Sequence, residues 1–302
     1  MTTQTRLKLS VIIPVYNNPE GLEETLESVI NQDFPNSEYE IIVVDNCSQD
    51  DTWETAQRYQ KIYPQLIKIF QEKSIQSAYA ARNKGIQMSS GDVLAFIDAD
   101  MTAESNWLKD GLKDMEKRKS DYIFFRIENY SKDRKEKLIS KYTRMKEFPQ
   151  EDYFTKLKFG TVGSLFVRRE IFDTFGCFNR NLISGGDREF GNRLYEQGIK
   201  IDFNSRITLH HPTRKTFKSV IQKSFRVGRG VAQLQKFYPE RYGSLVKGLL
   251  EQEKRIFILP SQMAHIFRQW DKLSVREKIS FSILCFITKV TGYMGQLWEK
   301  YF

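Results

Sequence analysis

Two aspartates one residue apart, Asp98 and Asp100, directly follow the apolar run at 93–97. A buried strand there would deliver both carboxylates to a sheet edge. Two such oxygen donors can share a divalent ion and its water shell, and Mg²⁺ and Mn²⁺ prefer these ligands, often completed by substrate phosphates. The same residues also fit a plain turn in which one aspartate caps the next helix. A third carboxylate, Asp45, ends the β-branched run at 41–44 and reads either as a turn former or as an acceptor for a sugar or base edge. Arg82 lies in AYAARNKGI, on a helix expected to flank the same rim. Its guanidinium offers planar, multidentate contact to phosphate, or simply a solvated charge.

The elements that must position these groups alternate along the first 130 residues. Strand-like runs at 9–13, 41–44, 66–70, 93–97 and 122–127 are separated by helix-like segments. In the first helix Leu22, Leu26, Val29 and Ile30 recur on one face. Asp50 or Asp51 is placed to cap the helix running through Tyr59. Short connections between alternating elements predict an α/β fold with a mostly parallel central sheet flanked by helices. Ligands in such sheets sit at the carboxyl ends of strands, which is where Asp45, Asp98 and Asp100 fall. Strand runs are expected again at 162–167, 199–203 and 207–209, with a loop leading into a helix between the first two. From about 216 the chain reads as a helical C-terminal extension. No GxGxxG follows the first strand and no GxxxxGK[ST] occurs, so any phosphate falls to metal and side chains rather than a glycine cradle.

Five ordered pieces resemble family 2 glycosyltransferases of the inverting GT-A fold: SVIIPVYNN at 10–18, IIVVDNCSQDDT at 41–52, AARNKGI at 80–86, GDVLAFIDADM at 91–101 and SGGDREFGNRLYEQG at 184–198. The resemblance implies that Pro14, Val15 and Tyr16 line a nucleobase pocket and that Asp45 accepts from the base. Arg82 would sit near the nucleotide, Asp98 would contact the ribose or sugar, and Asp100 would ligate the metal, Mn²⁺ or Mg²⁺. Asp187 matches the family's catalytic base, and it also fits the N-cap of the helix at 188–197. The family commonly has Gly-Glu-Asp there, whereas this chain has Gly185-Gly186-Asp187, with Glu189 two positions beyond as a candidate acceptor contact. The glycine often seen before AARN is replaced by Gln76-Ser77-Ala78. His210, after a short strand, is the expected further metal ligand; His211 points the other way along a strand.

The whole chain of 302 residues carries 47 Lys+Arg and 38 Asp+Glu, a net +9. By segment, residues 1–204 are net −3 and 205–302 net +12. Arg214, Lys215, Lys218, Lys223, Arg226 and Arg229 fall within sixteen residues. Arg214, Lys215, Arg226 and Arg229 are candidates for contact with phosphate or acceptor. Aromatic and apolar residues over 255–302, Phe257, Ile258 and Leu259 among them, suit helices lying on an anionic bilayer, a partner or the catalytic domain; His265 reads as structural. Residues 1–215 are therefore expected to form the nucleotide-sugar-binding catalytic domain and 216–302 a basic, aromatic-rich extension.

The expected activity is transfer of a sugar, with inversion, from a UDP-linked donor to a hydroxyl of a glycan or lipid-linked acceptor. A nucleotidyltransferase and a non-enzymatic nucleic-acid-binding module are the competing readings. The acidic, motif-rich first two thirds argue against nucleic acid as a partner. Three irregularly spaced cysteines make neither a disulfide framework nor a four-thiolate site. No signal-peptide pattern or run of 18 apolar residues is seen, and 279–290 is too short to span a membrane. The expected compartment is the cytoplasm, free or peripheral on the inner membrane face.

Overall fold

Four apolar runs become four parallel strands: β1 (Leu9–Val15), β2 (Tyr39–Asp45), β3 (Ile67–Gln71) and β4 (Val93–Ile97). The structure, a computed structural model, describes residues 8–146, 148–245, 249, 263–264, 266–267 and 269–302. Strands β1, β2 and β4 are buried end to end, which is why they read as unbroken apolar runs rather than alternating ones. The register sets Val15 beside Asp45 and Ile12 beside Phe96, so these carboxyl ends share one rim. The sheet order is β3-β2-β1-β4-β7-β6-β8-β5, with β5 at Thr102–Ala103, β6 at Tyr122–Tyr130, β7 at Ser164–Arg168 and β8 at Ile201–Pro212. Strand β7 pairs antiparallel with β4 and with β6, and β5 antiparallel with β8.

The helices of this first unit follow their periodicity. Helix α1 (Pro19–Ile30) buries Leu22, Leu26, Val29 and Ile30 and is capped by Asn18. At α2 (Thr52–Ile62), Asp51 occupies the N-cap without a side-chain bond, while Asp50 Oδ1 accepts from Thr52 N at 3.1 Å. Helices α3 (Ala78–Met88) and α4 (Trp107–Arg118) lie where expected. Two features depart from expectation. The runs at 199–203 and 207–209 form one strand, β8, because the polar residues between them leave the backbone extended. Within the anticipated loop, residues 169–175 form a helix too short to show a period.

A second compact unit comprises 129–148, 182–185 and 212–302. It holds α5 (Leu138–Met145), while α6 (Gln150–Thr155), α7 (Arg169–Phe175) and α8 (Gly186–Glu196) belong to the first. The second unit continues with α9 (Phe217–Phe237), α10 (Pro239–Tyr242), a short 3-10 turn (Trp270–Lys272) and α11 (Val275–Tyr301). Helix α11 opens with a reciprocal capping box between Ser274 and Glu277. Tyr142, Val220, Phe267, Phe281 and Leu284 share one core. Helices α9 and α11 cross backbone to backbone: a Cβ on Gly228 would collide with Gly292 O, and one on Gly295 with Phe225 O. Phe257, Ile258, Leu259 and His265 lie outside the described residues.

Candidate active site

Three loops leaving β1, β2 and β4 are stitched together by asparagine side chains. Asn17 takes a positive φ of 47°, which asparagine tolerates; its Oδ1 accepts from Gln49 N at 2.8 Å, and its backbone N donates to Ser48 Oγ at 2.9 Å. Asn18 Nδ2 reaches across to Ala99 O at 2.9 Å, between the two aspartates of the β4 loop. Of the residues expected at the nucleobase, Pro14 and Val15 are buried in β1, and Tyr16 presents a half-exposed ring at the rim. Asp45 is fully buried, accepting from Ser48 N at 3.2 Å and Gln71 Nε2 at 3.3 Å, so it holds the β2 loop in shape.

Helix α3 supplies the next layer. The buried Arg82 donates through Nη2 to Asp98 Oδ1 at 2.5 Å, while its buried Nε has no hydrogen-bond partner among the described residues. Asn83, beside it, clamps the backbone of Phe178, donating to its carbonyl at 2.8 Å and accepting from its N at 3.1 Å. Phe178 packs on Phe190 of α8 at 4.6 Å between ring centres, and Phe190 stacks on Phe172 at 5.1 Å. An aromatic wedge thus fixes α8, whose first turn carries Asp187.

Asp187 is partly buried, and burial pushes its carboxyl above the usual range. The Arg188 backbone N–H and the Arg82 charge pull it back down, and Asp98 pushes it up again. That coupling places Asp187 in the same electrostatic neighbourhood as the Arg82–Asp98 pair. Tyr79, three residues before Arg82 on α3, lies under its guanidinium at 5.5 Å. Its hydroxyl oxygen accepts from Gly186 N at 2.8 Å, satisfying a free N–H at the start of α8. Burial, then the nearby Asp187, pushes the phenol's pKa up, so the ring stays neutral.

Tyr79 was not legible as a site residue. Its two signals were the spacing to Arg82 and the departure at Gly186. A Cβ on Gly186 would lie 2.6 Å from Tyr79 Cζ. The tyrosine ring therefore occupies the space that any side chain at position 186 would enter.

The histidines correct an expectation. Thr102 pairs with His210 across β5 and β8, and alternation turns the neighbouring His211 to the opposite face. His211 Nε2 stands 3.7 Å from Asp100 Oδ2, whereas His210 Nε2 faces Glu104 Oε1 at 3.8 Å. Two ligands on one Mg²⁺-like ion lie about 3.0 Å (cis) to about 4.2 Å (trans) apart at bond lengths of about 2.1 Å. Asp100 and His211 fit that spacing and donor chemistry. Among the described residues no three His, Cys, Asp or Glu side chains gather as a complete metal cage.

Glu189 is not brought to this cluster. Two residues along α8 turn it away from Asp187, and it is buried against Arg193 Nε at 2.8 Å. In the second unit, Arg229 pairs with Glu299 at 2.8 Å, Lys215 approaches Asp133 at 3.5 Å, and Arg226 donates to Ile183 O at 3.2 Å. The Arg214 carbonyl accepts from Thr143 Oγ1 at 3.4 Å.

Residues 10–176 match the family model described as glycosyl transferase family 2. That is more than half of the chain. The chain belongs to glycosyl transferase family 2. This family 2 member is 35% identical over 232 residues to the glycosyltransferase AglE of Haloferax volcanii, covering 77% of this chain and 75% of that one. Its fold matches the mannosyltransferase PcManGT of Pyrobaculum calidifontis, solved with GDP-Man and Mn²⁺, at a TM-score of 0.64 and 16% identity, covering 98% of this chain and 88% of that one. It also matches TarS of Staphylococcus aureus, solved with UDP-GlcNAc, at 0.56 and 19%, covering 97% and 92%. The fold is GT-A, and the family 2 chain is a glycosyltransferase. Neither competing reading finds support in these matches.

Proposed function

We propose that residues 1–215 transfer a sugar, with inversion, from a UDP-linked donor to a hydroxyl of a glycan or lipid-linked acceptor. The observation that carries this reading is Tyr79, which lies under the Arg82 guanidinium of the Arg82–Asp98 pair and accepts from Gly186 N, tying the turn that bears Asp187 to the rim where β1, β2 and β4 end. Tyr16 provides a wall for the base, and the buried Asp45, expected at the base edge, instead keeps that wall in place through the β2 loop. Asp98, oriented by Arg82, accepts from a ribose or sugar hydroxyl. Arg82 lends its positive charge near the nucleotide's phosphates.

Asp100 and His211 are the residues that would hold Mn²⁺ or Mg²⁺. A divalent ion held there would supply positive charge to offset that of the departing diphosphate. Asp187 takes the proton from the acceptor hydroxyl as its oxygen bonds to the anomeric carbon. The bond from that carbon to the diphosphate breaks on the opposite side, and its electron pair leaves with the nucleoside diphosphate. One displacement inverts the carbon and needs no enzyme nucleophile.

The test is a screen of nucleotide sugars with Mn²⁺ or Mg²⁺, reading released nucleoside diphosphate. Release from a UDP-sugar, abolished by EDTA, is the expected result. Pyrophosphate release from a nucleoside triphosphate would instead reinstate nucleotidyl transfer. Within the same assay, His211→Ala is expected to raise the metal concentration needed by about 10–100-fold, with His210→Ala changing it little. Equal effects of the two substitutions would refute the Asp100–His211 assignment.

A further inference from the structure

The long C-terminal helix presents a face that no described part of its own unit covers. Val275, Ile279, Ile283, Met294, Trp298 and Tyr301 of α11 are all exposed, Val275 by 75% and Tyr301 by 68%. At 100° per residue they fall on one side of the helix, opposite the buried Phe281, Leu284, Cys285 and Thr288. Large apolar side chains scattered singly on a surface are ordinary; a stripe running along 27 residues is not.

Charge is distributed around this stripe in a definite way. Lys278 and Lys300 are twenty-two residues apart, so they drift only about 40° and line one edge of the apolar face, while exposed Arg276 falls within the face at its start. The helix's two acidic residues lie on the other side, already paired: Glu277 with Lys141 at 2.6 Å and Glu299 with Arg229 at 2.8 Å. No described helix is long and apolar enough to cross a membrane, and α11 itself carries six charged residues.

We infer that this face of α11 docks on an anionic lipid surface, lying in the plane of the headgroups. Apolar side chains enter the acyl boundary while lysine stems reach back to anionic headgroups. Trp298 and Tyr301 at the far end have the amphipathic rings that settle at such a boundary. A second copy of the chain fits less well. It would bring another basic edge and no acidic residue to the contact, whereas an anionic partner complements Lys278, Lys300 and Arg276. The backbone-close crossing with α9 holds α11 in a fixed setting, so the stripe is displayed rather than folded away.

The inference does not rest on the sugar-transfer reading, and its test separates the two. The full chain is sedimented with vesicles of phosphatidylcholine alone and with vesicles containing about one third phosphatidylserine. Binding to the anionic vesicles at least about 10-fold tighter than to the neutral ones, weakened by salt, is expected. The exposed-face variant Ile283→Ser with Met294→Ser should lose binding to both. The edge variant Lys278→Gln with Lys300→Gln should lose the anionic preference alone. Both should keep the native thermal transition and the donor-dependent release of nucleotide. Failure to bind either vesicle, or equal binding to both, overturns the inference. So does a stable dimer in lipid-free buffer that Ile283→Ser with Met294→Ser splits.

Discussion

Replacing Asp187 by asparagine is expected to lower turnover by about 10²–10⁴-fold with little change in donor binding. Asparagine keeps the volume and the bond that Asp187 Oδ1 accepts from Arg188 N, at 2.9 Å, but it cannot take a proton. The same substitution should raise the thermal midpoint at neutral pH. The folded Asp187 holds its proton more tightly than the unfolded chain does, because burial outweighs Arg188 and Arg82. Stability therefore falls as pH rises from the ordinary carboxylate value through the raised folded one. The gap in melting temperature between variant and parent should open across that interval and vanish below it. Activity has the mirror dependence: its acidic limb lies above the usual carboxylate range, since only the ionised group accepts a proton. Turnover within about 10-fold of the parent would remove Asp187 from the role of base.

The second large effect is expected at Gly186. Gly186→Glu, which restores the family's common residue, should destabilise the fold by about 1–3 kcal/mol and abolish measurable turnover. The reason is the Tyr79 ring, whose Cζ and both Cε atoms stand 2.6–2.8 Å from where the new Cβ must go. Accommodating it displaces the ring from Arg82 and breaks the bond from Gly186 N, loosening the first turn of α8 and Asp187 with it. Adding Tyr79→Ala vacates that space. The double variant should melt above Gly186→Glu alone and recover part of its turnover. Strict additivity of the two single losses would show that the ring and the glycine are independent.

Much of the sheet and its rim could be read from residues because each signal was local. The unbroken apolar runs of β1, β2 and β4 and the aspartates at their ends depend on the chain's own neighbours. What escaped depended on pairing between distant segments. Whether His210 or His211 faces Asp100 is fixed by the register of β5 against β8, which no spacing within 199–212 reveals. Glu189 looked available, yet it is buried against Arg193 one turn further along the helix. Tyr79 became a site residue only when α3 and α8 met, joining positions 107 apart in sequence. Asn83 likewise gained its part from Phe178, 95 residues on.

Asn18 has a wider consequence. One side chain accepts from Gly21 N at the start of α1 and donates to Ala99 O, while its backbone N donates to Thr52 Oγ1. The wall proposed for the base and the turn carrying Asp98 and Asp100 are thereby one mechanical piece. The ordering of these loops is completed when the chain folds, so an arriving donor loses less binding energy to arranging them. Occupants bound at the base wall and at the aspartate turn would each feel the other through that shared frame, and by reciprocity to the same degree.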